Sequence, residues 1–216
     1  MKDLREYTIW DAATPVAIVS TTDATPIVVR ATAHGFTTGD KVMIYGHTTN
    51  VAANGIFKVT VLDANRFSLQ HRLSGANIAG SGAGAGGAAG IVIIAPKVVP
   101  LFEFKTAVLN FITSGTATLT VKLAGSIGRL AADADEWGDD PNFGATVSKS
   151  NPYNFIQVIN LDTGASVNGA TGIAAAGIDL NNNYEVNTNF MKYFTLIPTA
   201  WTQGAITAKV HLADNT

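Results

Sequence analysis

The chain contains no cysteine, which removes disulfides, thiolate metal sites and cysteine nucleophiles together. It is poor in charge: Asp, Glu, Lys and Arg make up 14% of 216 residues and the net charge is −2. Clustered Lys and Arg, which phosphate neutralisation requires, are missing, so nucleic acid is not an expected partner. There is no run of about 20 apolar residues to span a bilayer as a helix, so no membrane partner is expected either. The first residues carry Lys2, Asp3, Arg5 and Glu6 and no apolar h-region. No signal peptide is therefore expected, and the chain reads as a soluble protein made in a cytoplasm. No window combines a 3.6-residue apolar period with helix caps, which argues against helices.

Apolar residues reach 47%, enough for one large or two small cores and too many for a disordered chain. They fall in short β-type runs. Between residues 15 and 96 the expected strands are Val16–Val19, Ile27–Val29, Val42–Tyr45, Ile56–Val61 and Phe67–Leu69. Turn formers separate them at 37–40, 45–47, 53–55 and 63–65, and strands this short and this closely spaced suggest a small, bent β-barrel. The glycine–alanine tract 74–90 follows. It has the composition of a flexible linker, but the apolar run Ile91–Ile94 directly after it needs a sheet to hide in. The tract is read as a long hairpin loop of the barrel, with the domain break at Pro96–Pro100.

Residues 97–216 read as an antiparallel β-sandwich of jelly-roll type. Ala117–Leu123 alternates apolar with Thr and Lys, as a half-buried strand does. Phe155–Leu161, Lys192–Ile197 and Ala205–Leu212 are further strands, with loops expected at 133–142 and at Asn181–Asn183. Residues 1–14 have no clear period and read as an extended arm. Leu4, Tyr7, Ile9 and Trp10 are its candidate interface residues, anchored on the chain itself or on a neighbour.

No arrangement of residues points to catalysis, and none points to a bound cofactor. His34 and Asp40 lie close in sequence without a nucleophile nearby. His47, His71 and His211 have no metal-ligand spacing and read as surface residues. The glycine tract lacks the G-x-x-x-x-G-K-[ST] pattern of a phosphate loop. The acidic loop around Trp137 offers Asp133, Asp135, Asp139 and Asp140 as a calcium candidate outside the EF-hand pattern, against the plainer reading of a solvated loop. The same carboxylates could serve a glycosidase only across a groove that the sequence does not reveal. Trp137, Tyr153, Tyr184 and Trp201 could form a stacking platform for a carbohydrate or receptor.

Three blocks carry a family resemblance: Ala33-His-Gly-Phe-Thr-Thr-Gly-Asp-Lys-Val, then Asn54-Gly-Ile-Phe-Lys-Val, then Asp63-Ala-Asn-Arg-Phe-Ser-Leu69. In that order they resemble a small β-barrel module of tailed-phage structural proteins, often likened to the first catalytic-cysteine half-domain of ubiquitin-activating enzymes. Each block also has a structural reading. Gly35 and Gly39 suit tight turns, Asp40 an Asx-turn, Asn54-Gly55 a two-residue hairpin, and Phe36, Phe57 and Phe67 a small aromatic core. Stretches from Phe155 to Val210 are similar, less specifically, to C-terminal β domains of capsid- and tail-associated phage proteins. The resemblance implies a virion structural protein without enzymatic activity, assembled in the host cytoplasm. A capsid decoration (cement) protein is the first reading, a homotrimer contacting the major capsid protein. The alternatives are a tail, adaptor or baseplate component, or a carbohydrate- or receptor-binding module.

Overall fold

A computed structural model describes residues 4–85, 90–101, 104–126, 153–188 and 191–214. The protein is all-β, a small curled barrel followed by an antiparallel β-sandwich. Among the described residues every strand pair is antiparallel, and the one helical turn is the 3-10 segment Val51–Ala53. Compactness separates Pro15–Ala95 from a second unit built of the strands on either side of it. The first strand, β1 (Leu4–Ala13), belongs to that second unit.

The Pro15–Ala95 unit is one eight-stranded sheet. Its strands are β2 (Val16–Ala17), β3 (Ser20–Thr21), β4 (Val28–Arg30), β5 (Lys41–Tyr45), β6 (Gly55–Asp63), β7 (Arg66–His71), β8 (Gly84–Ala85) and β9 (Ile91–Ile94). Local pairing follows the sequence. β6 and β7 form a hairpin across Ala64-Asn65, where the Asp63 carboxylate accepts the Asn65 N–H at 2.8 Å and holds Arg66 at 2.7 Å. The curl comes from the first strands. Val16 pairs with Val92 of β9, and four residues later Ser20 pairs with Arg30 of β4. One short stretch thus joins the two ends of the order β9-β5-β6-β7-β4, and the sheet wraps around its apolar face. Ile27, Val29, Val42, Val59, Phe67, Leu69 and Val92 fill that face with no exposed surface. Each contributes roughly 1.5–3 kcal/mol by burial, before the entropy of ordering.

The motif residues do structural work inside this barrel. The Asp40 carboxylate accepts the Thr37 N–H at 2.8 Å and closes the turn before β5. The His34 ring stacks on Phe36 at 5.3 Å, and both meet Phe67 edge-on. Asn54-Gly55 does not form the expected two-residue hairpin. β5 and β6 are joined by residues 46–54, and the Asn54 amide instead pairs with both backbone groups of His47. The glycine tract is also more than a loop. Its residues Gly84–Ala85 pair with β3, and Gly84 is buried where a Cβ would overlap the His47 ring. Absence of a side chain is what lets the strand approach so closely.

The second unit is one sheet built on two strands of 21 residues each, β11 (Thr106–Ser126) and β17 (Tyr193–Ala213), following the short β10 (Val99–Pro100). The remaining strands are β12 (Tyr153–Phe155), β13 (Gln157–Asn160), β14 (Ser166–Asn168), β15 (Ile173–Ala176) and β16 (Asn181–Val186). β11 and β17 pair along their whole length, with an interruption between Ser114 and Thr118. There Gly115, Thr116 and, opposite, Gly204 all have positive φ, the backbone signature of a bulged corner. Beyond it the neighbours change. The half near Thr106 carries β1, β16, β13 and β14, whereas the half near Ser126 carries β10, β15 and β12. Two tryptophans show that the halves face each other. Trp10 pairs with Ala208, seven residues from Trp201 along β17, about 23 Å along a straight strand. Their rings meet edge-to-face at 5.7 Å, so β17 folds back and the sheet closes on itself as a sandwich.

Two expectations change here. The segment read as an extended arm is largely a sheet strand, because Ile9 and Trp10, each 2% exposed, fill the chain's own core. Asn181–Asn183, read as a loop, opens β16. Asn110 Nδ2, across the sheet on β11, donates to Asn183 Oδ1 at 3.0 Å, and Asn182 Nδ2 donates along β16 to the Tyr184 hydroxyl at 3.2 Å.

Candidate binding face of the larger sheet

Strand alternation sends one set of residues of the β1–β14 half inward and the other outward. Register lines up Glu6, His211, Val108, Glu185, Ile159 and Ser166 in a single row across six strands. The neighbouring row holds Thr8, Lys209, Asn110 and Asn183. This outward face is polar and carries both charge signs. The Lys209 ammonium donates to Glu6 at 2.9 Å, and the His211 ring lies 3.8 Å from the same carboxylate. The Lys209 hydrogen bond holds the Glu6 carboxyl below its ordinary range, and Glu6 in turn raises Lys209. All three side chains are open to water, so the trio shapes the local field more than it stabilises the fold.

At the other end of the face lies a groove of about 410 Å³, lined by Lys105, Gln157, Ile159, Glu185, Asn187 and Thr188. The Thr188 hydroxyl donates to the Lys105 carbonyl at 2.9 Å and ties the strand end to the segment before β11. Ile159 in its lining is 43% exposed, and Leu161, two residues further on, is 48% exposed. Amides, charges of both signs and two isolated aliphatic side chains suit a wet, hydrogen-bonded protein contact.

The candidates drawn from sequence are dispersed. Leu4 is 73% exposed and Tyr7 is half-buried, while Ile9 and Trp10 are interior. Asp133, Asp135, Asp139 and Asp140, with Trp137, lie outside the described residues, as does the Tyr153 side chain. Tyr184 and Trp201 are buried at 3% and 0% exposure, and the Trp201 indole N–H donates to the Gly204 carbonyl. Neither can stack on a sugar. Burial, the largest influence on it, raises the Tyr184 phenol.

His34 and Asp40 are not joined as a pair. The His34 Nδ1 accepts the Phe36 N–H at 3.0 Å, its Nε2–H donates to the Asp63 carbonyl at 3.0 Å, and Asp40 serves its own turn. His47, read as a surface residue, is 3% exposed and fully engaged, because two turns and a glycine strand close over it. His211 is exposed, and His71 is partly buried with its Nδ1 facing the Ser74 N–H at 3.3 Å. Among the described residues no three His, Asp or Glu side chains gather as a metal site would need.

Sequence reading missed the Glu6–Lys209–His211 trio and the Lys105–Glu185 groove. Glu6 lies 203 positions from Lys209 and Lys105 lies 80 from Glu185, and only the antiparallel pairing brings them onto one face. Comparisons with protein-family models, curated proteins and solved structures found no match.

Proposed function

We propose that this chain is a non-enzymatic structural component of a tailed-phage particle, a decoration protein that binds the major capsid protein and its own copies as a homotrimer. The observation that carries the reading is the use made of the three resembling blocks. His34, Phe36 and Phe67 pack together, Asp40 closes a turn, Asn54 braces His47, and Asp63 and Asn65 build a hairpin. These hallmark residues serve the barrel itself, which suits a module whose job is scaffolding. A folded-back sandwich with a broad polar face supplies the rigidity and the many weak contacts that symmetry can sum. Of the four N-terminal candidates, Leu4 and Tyr7 remain for a neighbour.

The test is mass and symmetry of the full chain by light scattering, followed by co-sedimentation with phage heads that lack it. A trimer that saturates heads, and loses affinity on Leu4→Asp or Glu185→Lys, supports the reading. A monomer, or a ring of six or twelve that ignores heads, overturns it and moves the protein to the tail, adaptor or baseplate.

A further inference from the structure

Three short segments of the small barrel converge on one buried imidazole. The His47 Nδ1 accepts the Asn50 N–H at 3.0 Å, so Nε2 carries the proton and donates it to the Thr21 hydroxyl at 2.9 Å. These two bonds fix the ring, and the Asn54 side chain fixes the backbone beneath it, gripping the His47 N–H and carbonyl at 2.9 and 2.8 Å. Asn50, with no exposed surface, passes the connection on. Its Nδ2 donates to Thr21 Oγ1 at 3.2 Å and to the Thr22 carbonyl at 3.0 Å, while its Oδ1 accepts the Ser81 N–H and hydroxyl at 3.0 and 3.3 Å. Ser81 in turn accepts the Ala52 N–H at 3.0 Å, and Gly82 N–H donates to the Asp23 carboxylate at 3.0 Å. The first half of the glycine tract is therefore held by a polar network, with Gly84 laid against the imidazole.

We propose that His47 is a protonation-sensitive latch, which holds residues 80–85 on the barrel when neutral and releases them when it takes a second proton. That proton has only Nδ1 to bind, and there it confronts the Asn50 N–H, so a hydrogen bond becomes a clash of two donors. Asn50 must then move, and its bonds to Ser81 move with it. Besides the two Asn50 bonds, residues 80–85 are held by the Gly80 N–H to the Ala24 carbonyl at 3.0 Å, the Gly82 N–H to Asp23, the Ala52 N–H to Ser81 and two residues paired with β3, and they have almost no side chain to pack. The segments around the ring, 20–23, 47–54 and 80–85, carry Asp23 as their one charged side chain besides His47 itself. Tyr45, just before, keeps its phenol neutral because burial raises it. Burial likewise lowers the His47 pKa from its ordinary 6.5, so the latch is closed at neutral pH and opens on the acid side.

The experiment is a titration of the full chain from pH 7.5 to 5, followed by amide and imidazole NMR. The expected result is a His47 midpoint below about 6.5, shared by the amides of Ser81, Gly82 and Gly84, while Val29, Phe67 and Leu69 stay in place. His47→Gln abolishes the step at Ser81–Gly84. Should that variant fail to fold, the coincidence of the wild-type midpoints decides. A His47 that titrates at or above 6.5, that titrates without moving Ser81–Gly84, or that takes the whole barrel down together overturns the proposal.

Discussion

Replacing Gly204 by alanine tests the corner on which the sandwich depends. Gly204 has φ +86°, and a Cβ built there would lie 2.7 Å from the Ala117 Cα, the Ala117 Cβ and the Ser114 carbonyl oxygen. Two costs follow. Left-handed backbone costs a residue with a Cβ about 1–2 kcal/mol, and forcing a methyl into a filled space costs about 1–3 kcal/mol more. Two of the three atoms in the way are backbone, so relaxation is poor and the sum is about 2–5 kcal/mol. For a chain of this size each kcal/mol lowers the midpoint by roughly 2–4 °C, which puts the expected drop at about 4–20 °C in the transition of the larger unit. Gly164→Ala is the control. It has φ +70° with nothing within 4 Å of its Cβ, so only the backbone cost of about 1–2 kcal/mol applies. Scanning calorimetry of the two variants beside the parent reads the difference. Equal losses in both would refute the close approach at Ser114–Ala117, and with it the corner that brings Trp201 to Trp10.

Trp10→Ala removes a fully enclosed ring from the sandwich and should cost about 3–5 kcal/mol in chemical denaturation; a stable variant defective only in assembly would return the N-terminal strand to the role of a free arm. Asn50→Asp keeps the acceptor facing Ser81 but takes away the donor to the Thr22 carbonyl, and should destabilise the barrel by about 1–3 kcal/mol in urea; an unchanged midpoint would mean that the network around His47 contributes nothing. The folded pKa of His47 lies below its unfolded value, so its contribution is complete above about pH 6.5 and shrinks as the pH falls from there toward the folded pKa. Urea midpoints of the barrel should accordingly decline below about pH 6.5 and do so less in His47→Gln, whereas a decline on the alkaline side would reverse the sign of the argument.

The strands were legible where one face of a short segment met water and the other did not. Ala117–Leu123 shows the alternation openly, and the structure buries Ala117, Leu119, Val121 and Leu123 while leaving the Thr and Lys residues between them part-exposed. The β-type runs at 42–45, 56–61 and 67–69 are strands as well, but 42–44 and 67–69 are buried on both faces and were legible from their β-branched and aromatic composition between turn formers rather than from alternation. What stayed hidden was set by distant partners. Nothing in Leu4–Ala13 itself declares that it is a sheet strand, because its pattern is broken by bulges and its partner begins 180 residues later. The asparagines of β16 look like loop formers until Asn110 lies opposite them. The glycine tract is the sharpest instance. Composition registers only freedom, whereas three-dimensional crowding selects for the smallest residue at Gly84, beside a histidine whose own burial is equally silent in the sequence. Local chemistry therefore specified where the chain could extend. Long-range pairing decided which polar residues became interior, and those are the ones, His47 and Asn50 above all, on which any responsive behaviour of this protein must rest.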